Sequence, residues 1–290
     1  MTPTAQVITS LVLLVAAPLA VGVLLGVDRK LTARMQNRVG PPILQPFYDI
    51  LKLLGKRRSL LNSGQVCFAQ CCLLFQLLAL AVLVFGGDLL VVFFLSSAGS
   101  VFLVLGAFSA NSPFSQMGAQ RELLQVLAYE PVLFIVIMAV GFDQRTFLAA
   151  QIDRMLLAPL FLAFIALIPV LIIKLQKSPY DIATAHTELV SGPHIEYSGP
   201  YLAVVELAHW LEIAVLLGIL SLFWYDPNIW VSIAGKATLI LVAWFVVMII
   251  DNVTARLVRK RMVSFTLSFG FTLVALNLIL LHYVLPGVGL

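Results

Sequence analysis

Residues 66–108 read VCFAQCCLLFQLLALAVLVFGGDLLVVFFLSSAGSVFLVLGAF, and Asp88 is the sole charged residue among them. Two apolar runs of roughly 20 residues flank Gly86-Gly87-Asp88, and a helix of that length spans the roughly 30 Å of bilayer hydrocarbon. The stretch therefore reads as two membrane-spanning helices joined by a very short link. Outward from it, comparable runs occur at 4–26, 123–141, 155–175, 201–223, 235–255 and 264–285. Together they predict an all-α, polytopic transmembrane bundle of about eight spans, with 1–290 as a single integral membrane domain. The composition agrees: 61% of residues are hydrophobic and 11% charged, with a mean hydropathy of +1.03. A soluble domain carries about 25% charged residues. The first run lacks a basic n-region and is followed by Asp28-Arg29-Lys30, so it reads as a retained span and not a cleaved signal.

Cations set the expected orientation. Residues 28–65 hold Arg29, Lys30, Arg34, Arg38, Lys52, Lys56, Arg57 and Arg58, and other loops on that side add Arg121, Lys174, Lys177, Arg256, Arg259, Lys260 and Arg261. The opposite side has Arg145, Arg154 and Lys236. This asymmetry predicts a multi-pass protein of the prokaryotic cytoplasmic membrane with both termini outside. It also accounts for the pI of about 9.1, which is then no argument for nucleic-acid binding. The sequence has no Walker loop, dinucleotide glycine fingerprint, HExxH or CxxC motif. Cys67, Cys71 and Cys72 lack further ligands at tetrahedral-site spacing and read as apolar packing residues. No metal site and no cofactor are expected in this chain, so redox chemistry falls to other polypeptides.

The basic side carries unusual loops. The first, from Asp28 to about Gly64, contains QPFYDILKLLGK, in which Phe47, Ile50, Leu51 and Leu54 share a helical face. This predicts a short amphipathic helix in the interface, held by anionic headgroups or serving as a docking platform. The third loop carries NSPFSQMGAQRE before the fourth span. The fifth runs from Ser178 to Gly199, and Asp181, Glu188 and Glu196 make it acidic on a basic face. Those acids either pair with the arginines of the first loop or line an entrance for protons.

Carboxylates also occur inside the spans. Glu130 lies about 12 Å deeper than Glu122 at 1.5 Å per residue, while Glu206, His209 and Glu212 recur every three residues as one polar strip. Asp251 sits about a turn and a half from Arg256. A charge near the bilayer centre costs about 2.5–3.5 kcal/mol on insertion scales, so each group requires a partner or a water-filled cavity. The pattern reads as a buried ionisable chain, or else as interhelical hydrogen bonding. His186, His194 and His282 have no metal-ligand spacing and read as polar loop or interface residues.

Three loop motifs resemble one family. Asp28-Arg-Lys-Leu-Thr-Ala-Arg-Met-Gln-Asn-Arg-Val-Gly-Pro, continued by Gln45-Pro, Asp49, Lys52-Leu-Leu and Lys56, is similar to the Glu-Arg-Lys…Arg-x-Gly-Pro segment of the membrane subunit that anchors the peripheral arm of respiratory complex I. Pro179-Tyr-Asp…Glu188-Leu…Gly192…Glu196-Tyr-Ser-Gly resembles that family's acidic loop. The same type of subunit anchors membrane-bound nickel–iron hydrogenases. Gly118-Ala-Gln-Arg-Glu followed by Glu130-Pro resembles the hydrogenase branch, as does Asp251-Asn…Ala-Arg256. So do Thr184 and His186, which stand where the quinone-type loop usually has two glutamates, and the short chain without an N-terminal extension.

The resemblance implies a membrane subunit of an energy-converting hydrogenase that couples donor oxidation and proton reduction in its partners to proton or sodium translocation. It implies a ferredoxin-type donor, nickel–iron large and small subunits, an iron–sulfur subunit and an antiporter-like membrane subunit, with the nickel–iron centre and iron–sulfur clusters in those partners. By position, Arg34, Arg38, Asp49, Lys52, Arg121 and Glu122 would shape the docking surface. Glu130, Asp181, His186, Glu188, Glu196, Glu206, Glu212 and Asp251 would form the proton or charge path. The alternative is the quinone-chamber subunit of an NADH or ferredoxin:quinone oxidoreductase. Outside this family, a stand-alone secondary transporter would usually show internal repeats, and a purely structural anchor would tolerate loss of the buried acids.

Overall fold

The computed structural model describes residues 3–57 and 62–283, so Arg58 lies outside the described residues. The helices, in order, are α1 (Pro3–Met35), α2 (Gln45–Leu54), α3 (Ser63–Val84), α4 (Leu89–Phe108), α5 (Pro113–Gln144), α6 (Phe161–Lys174), α7 (His186–Leu189), α8 (Pro200–Ser221), α9 (Ile229–Val253) and α10 (Arg259–Tyr283). Seven of them, α1, α3, α4, α5, α8, α9 and α10, are long and apolar enough to cross a membrane. The chain is a multi-pass helical membrane protein. Fully buried side chains concentrate on α5, α6 and α8, including Val132, Val136, Ala163, Leu167, Val170, Ile213 and Leu220.

The link inside residues 66–108 is a tight turn. Gly86 takes φ +75°, in the left-handed region that favours glycine. The Asp88 carboxylate then caps α4, accepting from the Leu90 amide at 2.7 Å. Deeper in this hairpin, Gln76 and Ser96 exchange two buried hydrogen bonds of 3.1 Å.

Two expectations need correction. The run at 155–175 is helical only from Phe161, and 14 residues make about 21 Å, short of a full span. Pro159 precedes the helix, and the chain ahead of it runs in turns. Irregular backbone at membrane depth survives only when buried in protein and hydrogen-bonded. Both conditions hold, because Leu156 and Leu160 are fully buried and the Leu157 amide donates to the Phe223 carbonyl at 2.9 Å. Asn277, from α10, supplies the cap: its Oδ1 accepts from the amides of Leu162 at 2.8 Å and Ala163 at 3.0 Å, and its Nδ2 donates to the Pro159 carbonyl at 2.7 Å.

Second, the basic motifs are more helical than expected. α1 continues to Met35, so Asp28–Arg34 is the last part of a helix about 50 Å long. It ends in paired bonds, Arg38 N to Ala33 O at 2.7 Å and Asn37 N to Arg34 O at 3.0 Å, with Asn37 at φ +58°. Likewise α5 starts at Pro113, because proline fits the first helical position. The expected short helix α2 is present; it buries Pro46, Ile50 and Leu53 against the bundle, while Leu51 and Leu54 are exposed. Phe47 packs edge-on against Trp210 of α8, centroids 5.2 Å apart, which holds α2 on the bundle.

Candidate functional site

The end of α6 carries a cation into the protein interior. Lys174 is 8% exposed and pairs with Glu212 of α8, which is 12% exposed. Its Nζ also donates to Tyr129 Oη of α5 at 2.5 Å and to Ser100 Oγ of α4 at 3.2 Å, and lies 3.9 Å from the Tyr129 ring centroid. Ser100 donates to Glu212 Oε1 at 2.7 Å, and Tyr129 Oη donates to Ser100 at 3.2 Å. Four helices thus converge on one ion pair whose remaining valences are satisfied by hydroxyls. A buried pair is sustained by such extra hydrogen bonds, since Coulomb attraction alone does not repay desolvation.

Further ionisable groups extend from this centre toward the fifth loop. His209 Nδ1 is 3.6 Å from Glu212 Oε2 on the same helix face. Glu122 of α5 lies in the electrostatic field of Glu212, Lys174 and His209, and His194 of the loop lies in that of Glu206, His209 and Glu212. Burial depresses the His194 pKa and favours the neutral ring, opposed by Glu206. Glu130 stands beside Tyr129 and contributes to its surroundings. Glu122 Oε2, Glu130 Oε1 and His194 Nε2 are shut from solvent without a hydrogen-bond partner among the described residues. Such orphans are rare in native interiors, and each calls for an explanation.

A second layer of charge ties the loops to the helix ends. Lys177 Nζ bridges Asp28 of α1 at 2.7 Å and Asp251 of α9 at 3.1 Å, and Asp251 also accepts from the Ser178 amide at 3.0 Å. Burial favours neutral Lys177, but the two carboxylates outweigh it and hold its pKa above the usual value. Arg256 grips Asp181 in a two-pronged pair of 2.8 and 2.6 Å, while Arg121 reaches Glu188 at 2.6 Å and the Ile182 carbonyl at 3.1 Å. Hydrogen bonding from Arg121 holds the Glu188 carboxyl below its ordinary range, and Asp181 raises that of Arg256. On α2, burial raises Asp49, but bonds from Gln45, Arg29 and Lys52 prevail and hold it low.

The expected path residues therefore separate. Glu206, Glu212 and Glu130 lie in the intramembrane cluster. Asp181 and Glu188 pair with Arg256 and Arg121 and, among the described residues, not with the first loop's arginines. Asp251 pairs with Lys177. Glu196 is half-buried two residues past His194, and the His186 side chain lies outside the described residues. Of the expected docking residues, Arg34, Arg38 and Lys52 are exposed and Asp49 is half-buried, whereas Arg121 is mostly buried and Glu122 points inward. The sequence reading missed Lys174, counted as a loop cation, and Tyr129 and Ser100. A lysine directly after PVLII was the available signal for the first. Among the described residues, no group of three or more His, Cys, Asp or Glu could hold a metal ion.

The fifth loop seats on α5 through a backbone contact. A Cβ on Gly118 would stand 2.5 Å from the Gly192 carbonyl carbon and 2.6 Å from Pro193 N, so only glycine permits this approach. Gly118→Val is expected to destabilise the protein by about 1–3 kcal/mol, the usual cost of overpacking. Hydrogen exchange across 178–199 is expected to rise with it, and unchanged exchange there contradicts this seating.

A family model described as NADH dehydrogenase matches residues 8–282. An NADH-quinone oxidoreductase subunit of Solibacter usitatus is 31% identical over 253 residues, which cover 75% of this chain and 63% of that protein. The match thus spans less than two thirds of that relative. The corresponding NADH-quinone oxidoreductase subunit of Bacillus thuringiensis is 26% identical over 260 residues, 75% of this chain and 77% of that one. A chain in the structure of the membrane-bound sulfane sulfur reductase, an archaeal respiratory membrane complex, is similar with a TM-score of 0.85 and 26% identity, covering 95% of this chain and 99% of that chain.

Proposed function

The chain belongs to the NADH dehydrogenase family, and on that premise we propose that it anchors a soluble redox module to the membrane and couples its electron transfer to ion movement. The observation that carries this reading is the row of ionisable groups from His194 and Glu122 at the loop side to Glu212 and Lys174 between the helices. A charge change at the loop face acts on that row with little screening, because buried pairs are screened much less than exposed ones. Among the described residues Glu122 and Glu130 are held in no ion pair, and one carboxylate oxygen of each is buried without a hydrogen-bond partner. Protonation of Glu212 would remove the counter-charge of Lys174 and leave its ammonium on Tyr129 and Ser100, which it already contacts.

The module we propose is of the energy-converting hydrogenase type. Its support is Gly118-Ala-Gln-Arg-Glu with Glu130-Pro, and Thr184 and His186 in the acidic loop. Nickel–iron and iron–sulfur centres then belong to partner subunits, with a ferredoxin-type donor and an antiporter-like membrane subunit completing the complex. The basic loops face the cytoplasm and both termini lie outside. Arg34, Arg38 and Lys52 form the docking face, and Arg121 positions the fifth loop beneath it. The second reading, a quinone-chamber subunit, is favoured by the two relatives named NADH-quinone oxidoreductase. The solved sulfane sulfur reductase adds sulfane sulfur as a third terminal acceptor.

Mild-detergent purification through a tag on this chain separates these readings. The expected product contains a nickel-bearing large subunit and evolves hydrogen from reduced viologen. A product that reduces quinone or sulfane sulfur and evolves no hydrogen overturns the hydrogenase assignment.

A further inference from the structure

Because α6 is short, a groove opens beside it toward the surrounding membrane, between α6, α9 and α10. Its volume is 690 Å³, and its walls include Phe161, Ile172, Val242, Thr254, Phe265 and Phe269. From Phe161 to Ile172 is about 17 Å along α6, and from Val242 to Thr254 about 18 Å along α9. Both figures are close to half the roughly 30 Å hydrocarbon thickness, the depth of one leaflet. The Thr254 hydroxyl already donates to the Ile250 carbonyl at 2.7 Å, leaving that wall apolar. At the loop end, the Leu257 amide closes onto the Pro179 carbonyl at 3.0 Å.

The groove's loop end meets an unopposed cationic turn. Arg259, Lys260 and Arg261 are exposed, and among the described residues none has a carboxylate in ion-pair contact, whereas nearby Arg256 is held by Asp181 and Glu188. Arg261 precedes Phe265 and Phe269 by four and eight residues, so it shares their face of α10. Phe265 and Phe269 stack with centroids 5.3 Å apart, forming one apolar wall beneath it.

We propose that this groove holds an acyl chain of one anionic phospholipid, with its phosphate bound by Arg261. A lipid tail needs length, apolar walls and no hydrogen bonds, and the groove supplies these. The Arg261 guanidinium, on the face of Phe265 and Phe269, selects an anionic headgroup, as basic residues at the ends of membrane helices do.

The test uses the intact complex, purified in detergent and delipidated stepwise, with lipid read by native mass spectrometry. Phosphatidylglycerol or phosphatidylcholine is then added back. The expected result is one anionic phospholipid retained per complex, with phosphatidylglycerol rebinding in preference to phosphatidylcholine. Arg261→Ala, at an exposed position, is expected to weaken phosphatidylglycerol rebinding about fivefold. Val246→Trp, at a position 37% exposed on the groove wall, is expected to displace the lipid while the complex assembles. Equal retention of the two lipids, loss of all lipid at the first step, or a polypeptide segment in the groove in a map of the complex overturns the proposal.

Discussion

Lys174→Met alone and Glu212→Gln alone are each expected to destabilise the purified complex by about 3–5 kcal/mol, the usual result of leaving one member of a buried pair uncompensated. The double variant is expected to return to within about 1 kcal/mol of the parent. Methionine is close to lysine in length, and the amide of glutamine keeps an acceptor for the Ser100 hydroxyl at the position where Glu212 accepts at 2.7 Å. A double-mutant cycle by thermal unfolding isolates the coupling, because both side chains lie in one hydrogen-bonded network. Near-neutral single variants, or a double variant as unstable as the worse single, contradict a buried ion pair at this position.

Asn277→Leu is expected to cost a comparable amount for a different reason. One side-chain amide satisfies two donors and one acceptor at the start of α6, and leucine leaves all three buried and unpaired. Each orphan costs about 1–3 kcal/mol, which places the total at about 3–9 kcal/mol. Hydrogen exchange of the Leu162 and Ala163 amides should increase with the fall in thermal midpoint. A loss below about 1 kcal/mol would mean that the turn before α6 finds other partners.

These residues show what the sequence made legible. The long helices followed from run length alone, since the bilayer requires about 20 apolar residues per span. The fifth span was misjudged because residues 155–160 are apolar enough to cross, and their non-helical path depends on Asn277 more than a hundred positions away. Glu206, His209 and Glu212 were visible as a polar strip because helical spacing aligns them. Lys174 was not, because a lysine at the end of an apolar run is ordinarily a positive-inside anchor. Only packing against Ser100, Tyr129 and Glu212 turns it inward. The acidic loop was recognised, but its partners Arg121 and Arg256 come from other connections, and pairing across loops has no signature in spacing. On α2, the hydrophobic positions were visible, but the choice of inward face depends on where Trp210 stands.

The measurement that tests coupling most directly is membrane potential in proteoliposomes containing the intact complex, parent beside the Lys174→Met/Glu212→Gln double variant. Donor-driven electron transfer is followed in the same vesicles as a voltage-sensitive dye. The double variant is expected to assemble and transfer electrons at a rate near the parent's while the dye signal disappears, because the charge shared by α6 and α8 no longer exists. A full dye signal in the double variant would contradict coupling through this pair and leave the chain as an anchor only.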